Sequence, residues 1–196
     1  MEKQRSLSAY RAIDLLIWAA LLVIFEGVIL RASRSLLFVD QPFTVSLAAA
    51  IACIVYMRWG AWGGIHAALA GLVYCLLGGG TWKQALIYAG GNLFSLLAVP
   101  VMNRIGKENL RTSEFLYLGV SLGTLMLMQL GRAVLAMLMG AGLPEALRFF
   151  TTDSLSAVFT LVIIWIVRRL DGVYEDQRHY LRRFHQEQEK ERMEGI

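Results

Sequence analysis

The chain has 196 residues, of which 57% are hydrophobic and only 17% are charged, and its mean hydropathy is +0.53. This composition excludes a soluble globular domain, and the apolar segments leave no room for an extramembrane catalytic or ATP-binding domain. The net charge of +4 is explained by anchoring at the cytoplasmic face of a membrane, because no surface of interleaved basic and aromatic residues that would bind nucleic acid is visible.

Apolar segments follow one another along the chain, and a segment of roughly 20 apolar residues crosses the hydrocarbon core of a bilayer. The second of them is short, and Arg58, Trp59 and Gly60 join it tightly to the third, so we expect a close hairpin or a partly irregular second span. The predicted fold is an all-α, polytopic membrane domain over residues 1–170. Its six predicted transmembrane helices are Ile13–Leu30, Phe43–Met57, Ala61–Leu77, Trp82–Met102, Phe115–Met139 and Leu147–Val167.

The first apolar segment follows the basic residues Lys3, Arg5 and Arg11, which gives it a superficial likeness to a secretory signal peptide. It is long enough to span a bilayer, and no small-residue cleavage site follows it. We therefore predict a retained first helix.

Positive charge predicts the orientation, since cytoplasmic connections carry an excess of Lys and Arg. One side holds Lys3, Arg5, Arg11, Arg58, Arg104, Lys107, Arg111, Arg168 and Arg169. The other side holds Arg31, Arg34, Lys83 and Arg148, offset in part by Asp40 and Glu145. We therefore predict a multi-pass protein of a bacterial-type plasma membrane with both termini in the cytoplasm.

Polar residues inside the predicted spans fall in the same leaflet half when the spans are threaded alternately through a bilayer. Ionisable groups are costly in hydrocarbon and often mark a substrate path or an internal ion pair. We therefore predict a binding pocket that opens outward. Three aromatic residues, Trp82, Phe149 and Phe150, are predicted to lie at its mouth. The predicted substrate-binding residues are Glu26, Tyr88, Asn92, Gln129, Arg132, Asp153, Trp82 and Phe149.

Structural roles for the same residues stay open. Arg132 with Glu26 or Asp153 could form an ion pair that only locks the helices together. The amide and phenol side chains could be hydrogen-bonding links between helices.

No apparatus for metal binding or catalysis is visible in the sequence. The chain has three histidines, two of them in the tail, and neither a G-x-S-x-G nor an H-E-x-x-H motif. We expect no metal, no cofactor and no enzymatic activity. Cys53 and Cys75 lie near opposite ends of adjacent predicted spans, so we expect two unpaired thiols, and we expect His66 to pack or hydrogen-bond.

Small residues recur on the first and third predicted helices, where they let two helix backbones approach closely. A partner-facing surface and packing within the chain are both open. The candidate partner-binding residues are Ala12, Ala19, Ala20, Gly60, Gly64 and Ala68.

The composition becomes strongly charged after the last apolar segment. Residues 171–196 are predicted to form a charged cytoplasmic helical tail, solvated or lying at the interface, with docking onto a partner subunit as the alternative. Its amphipathic helical spacing is carried by Leu170, Val173, Tyr174, Leu181 and Phe184.

Local strings along nearly the whole chain resemble one known family. These strings are Tyr10-Arg11-Ala12-Ile13-Asp14, Glu26, Met57-Arg58-Trp59-Gly60, Ile65-His66-Ala67, Ile87-Tyr88 with Gly91-Asn92, Gly131-Arg132, and Asp171-Gly172 with Glu175-Asp176-Gln177-Arg178-His179-Tyr180-Leu181. With the six-helix layout, they resemble the substrate-binding S components of energy-coupling-factor (ECF) vitamin transporters.

The resemblance implies a protein that captures a micronutrient and then associates with a membrane coupling subunit and two ATPases, which power release. It implies that small residues of the first helix face the coupling subunit, for which Ala19 and Ala20 are candidates. It also implies a ligand held near the outer ends of helices four to six and by the loop Arg31–Pro42. Vitamins, corrinoid fragments and modified bases remain open as substrates.

Two other function classes stay open. A small polytopic scaffold would have a filled polar core and no ligand. An intramembrane enzyme would need a reactive pair of side chains, and the sequence offers none.

Overall fold

The computed structural model describes residues 7–33 and 45–194. Within these residues the chain is helical, with no β-strand, and short 3-10 segments lie at Gly60–Trp62 and Leu93–Leu97. The helices are α1 (Leu7–Ala32), α2 (Ala48–Trp59), α3 (Gly63–Leu77), α4 (Trp82–Asn92), α5 (Ala98–Ile105), α6 (Lys107–Thr112), α7 (Glu114–Leu138), α8 (Leu143–Thr152), α9 (Ser154–Val167) and α10 (Gln177–Glu194).

Five helical stretches among the described residues are long and apolar enough to cross a membrane, as in a membrane-embedded protein. The prediction of six spans is not confirmed: by length and composition α2 and α3 form one such stretch, which doubles back at Gly60. With 12 residues, α2 is only about 18 Å long, shorter than a hydrocarbon core of about 30 Å. The stretches are Leu7–Ala32, Ala48–Leu77, Trp82–Ile105, Glu114–Leu138 and Leu143–Val167.

The α2–α3 stretch is broken at Gly60, whose φ of 63° lies in the left-handed region that favours glycine. After this turn the Tyr56 ring packs against Gly63, where an added Cβ would lie 2.5 Å from Tyr56 Cδ1. The small residue at position 63 therefore lets the chain turn back closely on itself.

Contacts with α1 give the direction of α2. The start of α2 lies at Glu26, since Leu47 N–H donates to the Glu26 carboxylate, and its end lies at Asp14, which binds Arg58. The two helices are therefore antiparallel.

By the same comparison, α3 runs parallel to α1. Near the start of α3, His66 Nε2 lies 2.9 Å from the carbonyl oxygen of Leu15 in the first half of α1. At the end of α3, Leu77 packs against Gly27 in the second half of α1. The hairpin expected from the tight turn is thus present, and His66 makes the expected hydrogen bond.

All twelve residues of α2 are buried, and α2 contacts α1, α3, α7 and α9. A helix that is apolar on all its faces is typical of the centre of a bundle. Cys53 lies within it, and Cys53 and Cys75 are both buried free thiols, as predicted.

Glycines bring α4 close to α7. A Cβ at Gly91 would lie 2.5 Å from the backbone nitrogen of Arg132, and one at Gly131 would meet the carbonyl oxygen of Gly91. The two backbones are therefore in contact at Gly91 and Gly131. Asn92 and Arg132 are the next residues along each helix, so their Cα atoms lie close together and their side chains can meet.

The beginning of α1 and the beginning of α10 lie at the same end of the bundle, where Tyr10 Oη–H donates to Gln177 Oε1 over 3.3 Å. The prediction that both termini lie on one side of the membrane is not confirmed, because the terminal residues lie outside the described ranges. The compartment on that side stays a prediction.

Candidate functional site: a polar network between the helices

Arg132 is the centre of a buried polar network. From α7, its Nε donates to Asn92 Oδ1 on α4 and its Nη1 donates to Asp153 Oδ2 before α9, each over 2.8 Å. Its guanidinium carbon lies 4.7 Å from the centre of the Tyr88 ring, which adds a cation–π contact. Arg132 thus links three segments that are far apart in the sequence.

Asp153 extends the network toward α2. Ser156 Oγ–H donates to Asp153 Oδ1 over 2.6 Å, and the same Oγ accepts the backbone N–H of Ser46 over 2.9 Å. The next backbone N–H, of Leu47, donates to Glu26 Oε2 over 2.8 Å. Glu26 and Arg132 are therefore joined through neighbouring residues at the start of α2.

Asn92 closes the other side of the network. Its Nδ2 donates to the backbone carbonyl of Ala67 on α3 over 2.8 Å, while its Oδ1 accepts from Arg132. This fixes the orientation of the amide, because one end must donate and the other must accept. We refer to Glu26, Asn92, Arg132, Asp153 and Ser156 as the Arg132 cluster.

Glu26 differs from the other members. Its exposed fraction is 0%, yet its second carboxylate oxygen, Oε1, has no hydrogen-bond partner among the described residues. A buried acceptor without a partner is unfavourable by about 1–3 kcal/mol, and more if it is charged. The site therefore keeps one strong acceptor that can bind a further donor.

The predicted site residues are brought together in part. Glu26, Asn92, Arg132 and Asp153 belong to one network, and Tyr88 lies over Arg132.

The remaining predicted residues lie around this network or away from it. Gln129 is buried on α7, three residues before Arg132. Phe149 meets the Tyr88 ring edge-on, with ring centres 5.6 Å apart. Trp82 is 72% exposed at the start of α4. The predicted loop Arg31–Pro42 lies outside the described residues after position 33.

Ser46, Ser156 and Tyr74 contribute to the site but were absent from the sequence prediction. The spacing of Ser156, three residues after Asp153 on a helix, was a usable pattern. Tyr74 stacks on Tyr88, with ring centres 5.1 Å apart. Nothing local in the sequence placed Ser46 or Tyr74 in the site.

A second buried ion pair lies at the opposite end of α1 and α2. Arg58 binds Asp14 through both carboxylate oxygens, with Nη2–Oδ1 at 2.6 Å and Nε–Oδ2 at 2.9 Å. Trp59 Nε1–H also donates to Asp14 Oδ2, over 2.6 Å. We refer to Asp14, Arg58 and Trp59 as the Arg58 cluster.

Arg58 also holds the segment that precedes α10. Its Nη1 donates to the backbone carbonyls of Gly172 and Val173 over 2.7 and 2.9 Å. Gln177 Nε2 donates to the same Gly172 carbonyl over 2.7 Å. The tail is thereby attached to the buried core of the bundle.

Ion pairs outside the spans add to this attachment. Lys107 Nζ lies 2.6 Å from Asp176, and Arg111 lies 2.7 Å from Glu175. Burial raises the pKa of the Asp176 carboxyl, but the hydrogen bond and charge of Lys107 more than offset this, so its pKa lies below the usual value. The carboxylate form of Asp176 is therefore the one that docks.

The predicted partner-binding residues differ in accessibility. Gly64 is buried against Leu96, where an added Cβ would lie 2.8 Å from Leu96 Cδ2, so it serves packing within the chain. Ala12 and Ala20 are exposed. The half-exposed members are Ala19, Gly60 and Ala68.

No family model, no curated protein and no solved structure matches this chain.

Proposed function

We propose that this protein is the substrate-capture component of an ECF-type importer and binds a vitamin or related micronutrient at the Arg132 cluster. The observation that carries the proposal is the buried Oε1 of Glu26, which has no hydrogen-bond partner among the described residues. Ligand sites commonly keep polar groups whose bonding capacity is completed only by the ligand.

The arrangement around Glu26 supports the proposal. Binding pockets in membrane proteins are commonly built at matched depth from several helices, and this cluster joins side chains or backbone from α1, α3, α4, α7 and α9. Tyr88, Tyr74 and Phe149 form a neighbouring aromatic group suited to a flat heterocycle.

In the proposed role the protein is not an enzyme and does not hydrolyse ATP. Capture takes place from the outer side, and release follows conformational change within a complex with a membrane coupling subunit and two ATPases. The exposed face of α1 that carries Ala12 and Ala20 is our candidate surface for the coupling subunit.

Native mass spectrometry of the gently purified protein tests the capture role. We expect a co-purified small molecule that is retained by the wild type and lost from the Asn92→Ala and Arg132→Ala variants. Arg148→Ala is the matched control, because Arg148 is exposed on α8. Spectra without any bound mass, together with no thermal shift across a panel of vitamins and precursors, would contradict the proposal.

A structural scaffold is the second candidate function. The observation that favours it is the engagement of Arg132 by Asn92 and Asp153, which satisfies that charge without a ligand. A scaffold would keep its fold and its partners when Arg132 and Asp153 are replaced together by apolar residues. Under the capture proposal, that double variant folds but loses the bound molecule.

A further inference from the structure

We propose that the captured compound is cationic, or presents a positively charged N–H donor, and that Glu26 Oε1 receives it. This inference rests on the proposed capture function and specifies its substrate class. It starts from the charges of the Arg132 cluster. Glu26 and Asp153 are acidic and Arg132 is basic, so the ionised cluster has an excess of one negative charge.

Arg132 is engaged by other members of the cluster and by Tyr88. Its Nη1 binds Asp153 and its Nε binds Asn92, while its face lies on the Tyr88 ring. An anionic ligand at Oε1 would add negative charge beside the Glu26 carboxylate. Charge complementarity therefore disfavours an anion at this site.

The geometry of Glu26 makes it an oriented acceptor. The backbone N–H of Leu47 holds Oε2 over 2.8 Å, which leaves Oε1 as the oxygen for a further contact. Because a backbone group holds the carboxylate, its direction is set before binding. A charge-assisted hydrogen bond to a buried carboxylate is among the stronger polar contacts available.

The neighbouring charges do not remove this preference. Arg31, the next basic residue along α1, is exposed, whereas Glu26 is fully buried. Tyr88 holds the Arg132 guanidinium over its ring, and Tyr74 and Phe149 pack against Tyr88, so this aromatic group suits a cation better than an anion. The acceptor and the rings thus select for the same ligand charge.

Three related probes test the charge preference: pyridoxamine carries an ammonium group, pyridoxine a neutral hydroxyl and 4-pyridoxic acid a carboxylate. Each is titrated into the full chain in lipid nanodiscs up to millimolar concentration, and binding is measured by calorimetry. We expect pyridoxamine to bind most tightly and 4-pyridoxic acid most weakly. In Glu26→Gln, which keeps the shape of the side chain, we expect the affinity for pyridoxamine to fall by about tenfold or more.

Glu187→Gln is the matched control, since it removes a negative charge from an exposed position on α10 and should leave all three affinities unchanged. A pyridoxamine preference that survives in Glu26→Gln would overturn the inference. So would tighter binding of 4-pyridoxic acid, or no binding of pyridoxamine to the wild type.

The co-purified molecule separates failure of this inference from failure of the proposed function. A bound anion in the native mass spectrum would overturn the cation inference and leave the capture function standing. The absence of any bound mass would count against both.

Discussion

The two ends of α1 each hold a buried carboxylate near an arginine, but the two sites differ in how completely their polar atoms are paired. In the Arg58 cluster both oxygens of Asp14 accept hydrogen bonds, from Arg58 and Trp59. In the Arg132 cluster, Oε1 of Glu26 has no partner in the part of the chain that the structure describes. A buried carboxylate near an arginine is therefore fully hydrogen-bonded in one cluster, whereas in the other it keeps one oxygen without a described partner.

This difference is the basis on which we propose a structural role for one cluster and a binding role for the other. A buried ion pair with a complete set of hydrogen bonds is stable in one arrangement, and Arg58 uses it to hold the backbone at Gly172 and Val173. A buried carboxylate oxygen without a partner lowers stability, and under the proposed capture function a ligand would supply that partner. The Arg58 cluster therefore attaches the segment before α10, whereas the unpartnered Glu26 oxygen is the feature on which the proposed ligand recognition rests.

Replacement of Arg58 should have the largest effect on stability. Arg58→Ala leaves Asp14 buried without its counter-ion and releases the segment before α10, so we expect a loss of about 3–5 kcal/mol. Thermal unfolding in nanodiscs measures it, with the exposed Arg148→Ala as the control, expected within about 0.5 kcal/mol of the wild type. An unchanged unfolding temperature for Arg58→Ala would contradict the structural role of the cluster.

The equivalent change in the other cluster sharpens the comparison. Arg132→Ala should also destabilise by about 3–5 kcal/mol, because it leaves Asp153 buried without its ion-pair partner. Replacing both, as Arg132→Met with Asp153→Leu, should recover much of this loss while abolishing retention of the small molecule. Calorimetric unfolding and native mass spectrometry give the two readouts. A double variant that still retains the molecule would place the binding site elsewhere.

The close approach of α4 and α7 supplies a smaller effect. In Gly91→Ala the new Cβ would meet the backbone of Arg132, so we expect a cost of about 1–3 kcal/mol and a weakened Asn92–Arg132 hydrogen bond.

Gly119→Ala is the matched control for this substitution. It lies on α7, and no described atom is within 4 Å of its added Cβ, so the change should be neutral or stabilise by up to about 1 kcal/mol through helix propensity. Unfolding temperatures of the two variants are compared side by side. Equal destabilisation by both would show that helix propensity or lipid contact, rather than contact with α4, governs these positions.

The smallest effect concerns the pH dependence of the tail. The pKa of Asp176 is lowered in the docked state, so its contribution to docking is complete above the ordinary aspartate pKa of about 4 and is lost as the pH falls through the lowered value. We expect amide hydrogen exchange of residues 177–184, corrected for intrinsic rates, to stay constant from neutral pH to about pH 5 and to accelerate at more acidic pH.

Asp176→Asn serves as the control for the pH experiment. This variant lacks the titrating carboxyl beside Lys107, so its exchange should lose that part of the pH dependence. An identical acid response in the wild type and the variant would assign the effect to other groups.

Part of the candidate site was predictable from the sequence. Polar residues in apolar helices are rare, so Glu26, Asn92, Arg132 and Asp153 were recognisable, and depth along each helix predicted that they would meet. The same approach treated Arg58 as a charge that sets orientation and as part of a tight turn, although it forms a buried ion pair with Asp14. Proximity to a helix end did not indicate whether this arginine faces water or the core.

The sequence by itself determined the apolar helices, the tight turn at Gly60 and the set of rare polar residues available for a site. These properties follow from composition and local conformation. Only the tertiary structure decided that α2 is buried at the centre, that Ser156 connects Asp153 to the start of α2, and that Glu26 keeps an unpartnered oxygen. The physical reason is that these contacts depend on how each helix is rotated and how closely it approaches its neighbours, and residues distant in sequence set both.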